Sequence, residues 1–341
     1  HRLEDVPAEQ MDREFFDTLF YGEGDDETAL ALRAEWDHWY PVDYRCSGND
    51  LISNHLTFYL YHHAELFPEP KWPQGITIMG MGLLEGEAMS SSKGHVVLPG
   101  EAIDRYGADT VRFFLLNSAE PWQDYDWRAD QVSTARRQLD RFWNRAQELI
   151  DGPEGERELR RIDRWLLSKL QGTIVTATEA MEGFETRTAS QTAFYDLEEH
   201  LRWYRRRADL DRPGAAWTLR SVLETRLVLL APFVPFLANE LYEQMTGMPA
   251  EEADWPTVDP EFQSPQIEAE EELVRALVDD ISEVIDVTGT DPSTIRIYTG
   301  ADWKYRAFAV VAETGPDIGE AMSQAMQYDS IRARSDEAAD L

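Results

Sequence analysis

Cysteine, lysine and long apolar runs are all scarce in this sequence of 341 residues. The single cysteine, Cys46, excludes an internal disulfide framework and favours a reducing compartment such as the cytoplasm. No apolar stretch approaches the roughly 20 residues that a membrane-spanning helix needs, so no membrane partner is expected. The lone cysteine and the histidine pairs are not spaced as metal ligands, so no metal site is expected. Because the sequence begins at His1 and shows no signal peptide, we expect it to be part of a longer protein.

Positive charge is also scarce. The chain has 65 Asp and Glu residues against 32 Lys and Arg residues, for a formal net charge of -33. The acidic residues are spread over every segment rather than gathered in a tail. Two interpretations compete: an acidic protein that avoids polyanions, or a halophilic protein whose carboxylates keep its surface hydrated in concentrated salt. The even spread and the shortage of lysine favour the halophilic interpretation, and any RNA site would then be a local arginine patch.

One short stretch has the composition of a phosphate-binding loop. An apolar run, Ile76–Met81, predicts a strand, and Gly80 in the middle of that strand suggests a close backbone approach. The following segment, Glu85–His95, contains three consecutive serines and then Lys-Gly. Serine hydroxyls and a lysine ammonium can both bind phosphate oxygens. Clusters of Ser and Gly also mark ordinary solvated turns, so this loop alone does not decide a function.

A second stretch predicts a βα unit. Tyr40–Cys46 is strand-like, Ser47–Asp50 is a turn, and the apolar positions after it fall on one helical face. Asn49 or Asp50 can cap that helix. The turn of a βα unit lies where α/β sheets bind ligands, so Asp50 could accept hydrogen bonds from a ribose and His55 would face the same site. A capping aspartate and a core histidine are the alternative interpretation of these two residues.

Together the two stretches resemble the signature motifs of class I aminoacyl-tRNA synthetases. The Gly-x-Asp-x-x-x-x-His pattern lies at residues 48–55, and the Met-Ser-x-Ser-Lys-Gly pattern lies at residues 89–94. The resemblance implies ATP-binding roles for Gly48, Asp50, His55, Gly80 and Met89, and catalytic roles for Ser90, Ser92 and Lys93. Ala88 and Ser91 stand where the family usually has lysine, so Lys93 is the remaining cation of the loop. The family's His-x-Gly-His signature is absent, which implies that the N-terminal part of the same enzyme is a partner.

The middle of the chain is predicted to be a helix bundle. Helical periodicity runs from residue 131 to 246, with helices near Asp163–Glu182, Thr188–Arg207 and Trp217–Thr246, the last kinked by two prolines. The Thr188–Arg207 helix ends in the densest basic patch, and the resemblance favours tRNA contacts through arginine and aromatic stacking over a solvated helix end. The candidate tRNA-binding residues are Arg202, Trp203, Arg205 and Arg206.

Other segments complete the predicted architecture. Tyr106–Arg112, with Asp109 or Thr110 as a helix cap, is expected to brace the sheet against the helices. Ile267–Val287 predicts an amphipathic helix and Thr294–Thr299 a strand, while residues 313–341 show no clear core.

The predicted fold class is α/β followed by all-α. Residues 1–130 are interpreted as the C-terminal half of a class I Rossmann-like catalytic domain and residues 131–256 as a helical anticodon-binding domain. Residues 257–341 are interpreted as a linker and part of a small mixed α/β C-terminal module. The sequence around the two signature motifs is most similar to archaeal-type leucyl-tRNA synthetases. They imply ATP-dependent activation of leucine and its transfer to tRNA, with ATP as a substrate accompanied by Mg²⁺ and no tightly bound cofactor. One alternative is an isoleucyl, valyl or methionyl enzyme; another is a non-catalytic tRNA-binding fragment or paralogue.

Overall fold

The computed structural model of the chain describes residues 6–89, 94–315 and 317–339. These residues form two compact units, with the division between Leu273 and Val274. Within the described residues, no helix is both long and apolar enough to span a membrane.

The first part of the larger unit contains a βαβ arrangement. Its elements are α1 (Arg13–Tyr21), α2 (Glu27–Trp39), β1 (Tyr44–Gly48), α3 (Thr57–Leu66) and β2 (Gly75–Met79). The predicted helix at Glu27–Trp39 is confirmed, and the Asp26 carboxylate caps it by accepting from the backbone amides of Thr28 and Ala29. β1 and β2 are parallel, and Gly48 at the end of β1 lies opposite Met79 at the end of β2.

A second small sheet follows. Its region comprises β3 (Gly82–Leu84), β4 (Glu87–Ala88), α4 (Pro99–Tyr106), α5 (Ala108–Ser118) and β5 (Tyr125–Trp127). β3 pairs antiparallel with β4 and parallel with β5. The β3–β4 connection turns at Glu85 and Gly86, which both have positive φ angles, of 52° and 86°. Two such residues are what a tight two-residue hairpin requires.

The helix bundle is built from α6 (Ala129–Ile150), α7 (Arg161–Glu182), α8 (Thr186–Gln191), α9 (Leu197–Arg207), α10 (Pro213–Leu230) and α11 (Pro235–Thr246). The predicted long helix Trp217–Thr246 is wrong, because it breaks instead of kinking. α10 ends at Leu230, two residues before Pro232, whose ring would clash with a carbonyl one turn earlier. Pro235 then begins α11, since the first turn of a helix tolerates a missing amide hydrogen.

The segment Tyr106–Arg112 joins the sheet region to the bundle, as predicted, but Asp109 does not cap its own helix. The Asp109 carboxylate accepts from the amides of Leu237 at 2.7 Å and Phe236 at 3.3 Å, so it caps α11. Arg112 donates to the Pro232 carbonyl at 2.8 Å. One turn of α5 therefore satisfies backbone groups on both sides of the break between α10 and α11.

The C-terminal part continues with α12 (Pro265–Thr288), α13 (Asp302–Thr314), α14 (Ile318–Ala325), α15 (Asp329–Arg332) and α16 (Ser335–Ala339). The amphipathic helix predicted at Ile267–Val287 is confirmed by α12. The strand predicted at Thr294–Thr299 is wrong, because this exposed segment has no regular structure. The expectation that residues 313–341 lack a clear core is also wrong, since Ala325 and Ile331 are buried against Trp303.

Candidate functional site

Three residues of the predicted ATP site lie at or just after the carboxyl end of β1. Gly48 ends β1, Asp50 lies in the 3₁₀ turn Asn49–Leu51, and His55 lies in the π-helical turn Ile52–Leu56. Neither turn begins with a side-chain cap, so the capping role considered for Asn49 or Asp50 is wrong. Asp50 and His55 are both exposed, and His55 Nε2 lies 3.4 Å from Arg45 Nη2. A carboxylate, an imidazole and a guanidinium thus share the edge at which α/β sheets bind ligands.

Gly80 does not lie in the middle of a strand as predicted, because β2 ends one residue earlier. The close backbone approach predicted there does exist. A Cβ atom at Gly80 would lie 2.1 Å from the Gln123 carbonyl oxygen, and the Gly80 amide donates to the Pro121 carbonyl at 2.7 Å. The space at Gly80 is therefore filled by the segment that leads into β5, and the adenine contact stays a prediction.

Ser90, Ser92 and Lys93 lie outside the described residues, but both ends of their loop are described. Half-buried Met89 follows the β3–β4 hairpin. After the loop, His95 forms a hydrogen bond through Nε2 with the Leu84 carbonyl at 2.9 Å. Met89 and His95, the described residues on either side of the loop, therefore both adjoin this hairpin.

That hairpin is attached to the start of α6 through contacts that the sequence did not suggest. The Gly86 amide donates to Asp126 Oδ1 at 2.9 Å, and this hydrogen bond, with a smaller effect of Arg128, holds the Asp126 pKa below its usual value. The Ala129 amide, in the first turn of α6, donates to Glu85 Oε1 at 3.3 Å. A carboxylate at a helix N-terminus satisfies a free amide and complements the helix dipole. The base of the signature loop and the first helix of the bundle are therefore directly connected.

The basic patch at the end of α9 is divided between core and surface. Trp203 is buried, and its indole nitrogen donates to Glu271 at 2.8 Å. Tyr204 is fully buried, and its hydroxyl donates to Asp163 at 2.5 Å. Both rings are therefore buried, and base stacking by Trp203 or Tyr204 stays a prediction. Arg206 is exposed, and its guanidinium lies 5.6 Å from the centre of the Trp203 ring.

Arg202 and Arg205 point instead into a cleft between α6 and α9, with a volume of about 400 Å³. We call it the arginine cleft after the five arginines that line it: Arg141, Arg145, Arg202, Arg205 and Arg226. Arg141, Arg145 and Arg226 were not among the residues predicted from the sequence to bind tRNA. Arginines four residues apart share a helix face, so the spacing of Arg141 and Arg145 was the available signal.

Glu198 is the carboxylate that lines the arginine cleft. It accepts from Arg205 at 3.1 Å, from Arg226 at 3.0 Å, and from Arg145. Burial opposes its ionisation, but the three arginines outweigh burial and lower the Glu198 pKa. Burial also lowers the pKa of Arg226 to about 10, which leaves this guanidinium charged at neutral pH. The floor of the cleft is thus a fixed cluster of charges, while Arg141 and Arg202 lie exposed at its rim.

An apolar surface remains uncovered in the sheet region. In α3, Phe58, Leu60 and Tyr61 are 64%, 53% and 71% exposed. β1 pairs only with β2 among the described residues, and an isolated pair of strands is marginally stable. Large exposed apolar patches mark interaction surfaces.

No cluster of metal-binding side chains occurs among the residues that the structure describes.

Comparisons with known proteins cover most of the chain. Residues 27–151 match the family described as tRNA synthetases class I (M), and residues 163–297 match the anticodon-binding domain of tRNA ligase. The leucine–tRNA ligase of Methanothermobacter thermautotrophicus is 41% identical over 95% of this chain. That of Pyrococcus abyssi is 38% identical over 98%. The chain spans 36% of the length of each of these curated relatives.

Two solved structures share the fold at 20% sequence identity. The ternary complex of Agrobacterium radiobacter K84 LeuRS with tRNA and LeuAMS has a TM-score of 0.56, covering 73% of this chain and 33% of that one. Mycobacterium tuberculosis methionyl-tRNA synthetase in complex with methionyl-adenylate has a TM-score of 0.51, covering 64% and 46%. The predicted fold class, α/β followed by all-α, is confirmed.

Proposed function

The chain belongs to the class I tRNA synthetases, and from this premise we propose that it is the C-terminal portion of a leucine–tRNA ligase. The whole enzyme would activate leucine with ATP and transfer it to tRNA in the cytoplasm. The observation that carries this proposal is the meeting of Gly48, Asp50 and His55 at the carboxyl edge of two parallel strands. This edge is where open α/β sheets bind nucleotides.

The proposed mechanism relies on positioning and charge stabilisation. Asp50 would accept from the ribose hydroxyls of ATP, with His55 beside the same nucleotide. Lys93, with Ser90 and Ser92, would meet the β- and γ-phosphates and stabilise the departing pyrophosphate when the leucine carboxylate attacks the α-phosphate. Mg²⁺ would enter with ATP, because proteins commonly bind this ion through substrate phosphates.

The N-terminal part of the enzyme is the proposed partner of the exposed apolar side chains of α3. A Rossmann-like sheet has helices on both faces and more than two strands. Covering Phe58, Leu60 and Tyr61 would remove apolar area from water, which stabilises the association by about 25 cal/mol per Å² of buried area.

Arg202, Arg205 and Arg206 support tRNA as the second macromolecular partner, since arginine binds phosphate bidentately.

A second candidate is a non-catalytic tRNA-binding fragment or paralogue. Ala88 and Ser91 favour it, because the loop carries one lysine where the family usually has more. One experiment separates the two candidates. Leucine-dependent ATP–pyrophosphate exchange is measured in the full-length protein that contains this chain, with Lys93→Ala and, as a control, Lys169→Ala. Lys169, in α7 of the bundle, pairs with Glu268.

Lys93→Ala should lower kcat for activation by about 10² to 10³, because a charge-assisted contact made chiefly in the transition state contributes roughly 2–4 kcal/mol. The KM for ATP should change much less. Adding Ser91→Lys to Lys93→Ala should restore part of the rate. Exchange by Lys93→Ala at the wild-type rate would refute the catalytic role and favour the non-catalytic candidate.

A further inference from the structure

We propose that a cavity between α5 and α6 binds a free, uncharged, planar heterocycle whose ring carries an N–H donor beside a carbonyl acceptor, as in a lactam or an imide. We call this cavity the amide pocket, after the side-chain amides of Asn117 and Gln138 that line it. The proposal does not depend on the proposed function, because it uses none of the residues of the signature motifs.

The amide pocket is formed by three elements of the larger unit and has a volume of about 290 Å³. α5 contributes Asn117, α6 contributes Gln138, and the π-helical turn Thr192–Asp196 contributes Tyr195. A π-helical turn is rare and frequently marks a functional site. Cavities for drug-sized ligands begin at about 300 Å³, so the amide pocket suits a single small ring system better than a nucleotide.

The lining of the amide pocket favours an uncharged ligand. Every residue that lines it within the described part of the chain is uncharged, in contrast to the adjoining arginine cleft, with which it shares Gln138 and Tyr195. An ion entering the amide pocket would lose hydration without meeting an opposite charge on the pocket wall, and this cost is large. The buried rings of Phe113 and Phe114 add apolar, aromatic surface, which favours a flat ring.

Asn117 supplies an acceptor that lacks a donor. Within the described residues, its Oδ1 is buried and accepts no hydrogen bond. A buried acceptor that stays unpaired costs free energy, and a ligand N–H would remove that cost. The terminal torsion of an asparagine side chain is soft, so Oδ1 can turn towards the cavity. The missing partner therefore predicts an N–H group on the ligand.

Gln138 supplies the donor. Its Oε1 accepts from the Tyr195 hydroxyl at 2.8 Å, which fixes the orientation of the amide, and its Nε2 forms no hydrogen bond within the described part of the chain. Burial raises the pKa of Tyr195 against its hydrogen bonds with Asn117 and Gln138, so the hydroxyl stays protonated and keeps donating. Nε2 is left to bind a carbonyl oxygen. An acceptor on α5 and a donor on α6 together match a ring with N–H beside C=O.

Binding of 1-methyluracil to the full-length protein that contains this chain tests the proposal, since this ring carries one N–H between two carbonyls. Calorimetric titration should give a Kd on the order of 1 mM, as for a ligand this small, and no saturable binding up to about ten times that concentration would overturn the proposal. The matched probe is 1,3-dimethyluracil, in which a methyl group replaces the N–H, and it should bind roughly tenfold more weakly. Equal binding of the two rings to the wild type would also overturn the proposal.

Two variants assign the binding to the amide pocket. Asn117→Ala removes the acceptor, and Gln138→Glu removes the donor while keeping an acceptor for the Tyr195 hydroxyl. Each should weaken 1-methyluracil binding roughly tenfold, because one ligand group loses its partner. Asn144→Ala is the matched control and should bind as the wild type does, since Asn144 is exposed on α6 and does not line the pocket.

Circular dichroism shows whether each variant is folded. Wild-type affinity in a folded Asn117→Ala or Gln138→Glu variant would overturn the assigned contact, and wild-type affinity in both would overturn the pocket. If neither variant folds, the comparison of the two probes on the wild type still decides.

Competition identifies the source of the ligand. ATP and leucine together should not displace 1-methyluracil, and displacement would place the probe in the catalytic site and overturn the proposal. tRNA should also leave probe binding unchanged, and displacement by tRNA would assign the pocket to a base of RNA instead of a free ring. Normal pyrophosphate exchange by Lys93→Ala would refute the catalytic proposal without altering any of these binding results.

Discussion

Replacing Asp163 with alanine should destabilise the larger unit more than most single substitutions. The Asp163 carboxylate is fully buried at the start of α7. It accepts from Arg212 Nη2 at 2.8 Å, from the Tyr204 hydroxyl at 2.5 Å and from the Arg160 amide at 2.7 Å. Burial, reinforced by Asp163, raises the pKa of Tyr204, so this hydroxyl stays protonated and keeps donating. One carboxylate thus connects α7, α9 and the start of α10.

The expected loss follows from what the substitution leaves behind. Arg212 is only 11% exposed, so Asp163→Ala leaves a mostly buried guanidinium without its anion. Breaking a buried ion pair by removing one partner costs about 3–5 kcal/mol. At about 2–4 °C per kcal/mol for a unit of 150–250 residues, the melting temperature should fall by roughly 6–20 °C.

Urea unfolding at a fixed salt concentration, followed by tryptophan fluorescence, measures this loss. Asp140→Ala is the control, because Asp140 is 56% exposed and pairs with Arg136 one turn away on α6. Such a surface pair contributes about 0.5 kcal/mol or less. A loss for Asp163→Ala no larger than that for Asp140→Ala would refute the reasoning.

Two further predictions concern salt and pH. If the net charge of -33 reflects adaptation to concentrated salt, the melting temperature should rise from dilute buffer to molar potassium chloride, and an unchanged value would contradict this. Burial raises the pKa of Asp109 despite its hydrogen bonds from Leu237 and Phe236, so this carboxyl stabilises the fold most at low pH. The measurement is the free energy of unfolding of the wild type minus that of Asp109→Asn. This difference should fall as pH rises from about 3 to 6. A difference that grows over this range would show that folding lowers the pKa of Asp109.

Local patterns in the sequence determined much of the fold and the class of the site. The helices Glu27–Trp39 and Ile267–Val287 were predictable because their apolar periodicity is contained within each segment. The βα turn at Gly48–Asp50 and the serine-rich loop were recognisable for the same reason, since each motif is a few consecutive residues.

Only the tertiary structure decided which side chains are available and what they contact. Asp109 caps α11 by accepting from the amide of Leu237, 128 residues further along the chain. Trp203 is buried, and its indole nitrogen donates to Glu271. The arginine cleft combines residues from α6, α9 and α10 that no local pattern connects. Burial and hydrogen-bond partners depend on which distant helices pack together, and that choice comes from the summed contacts of the whole core rather than from any one segment.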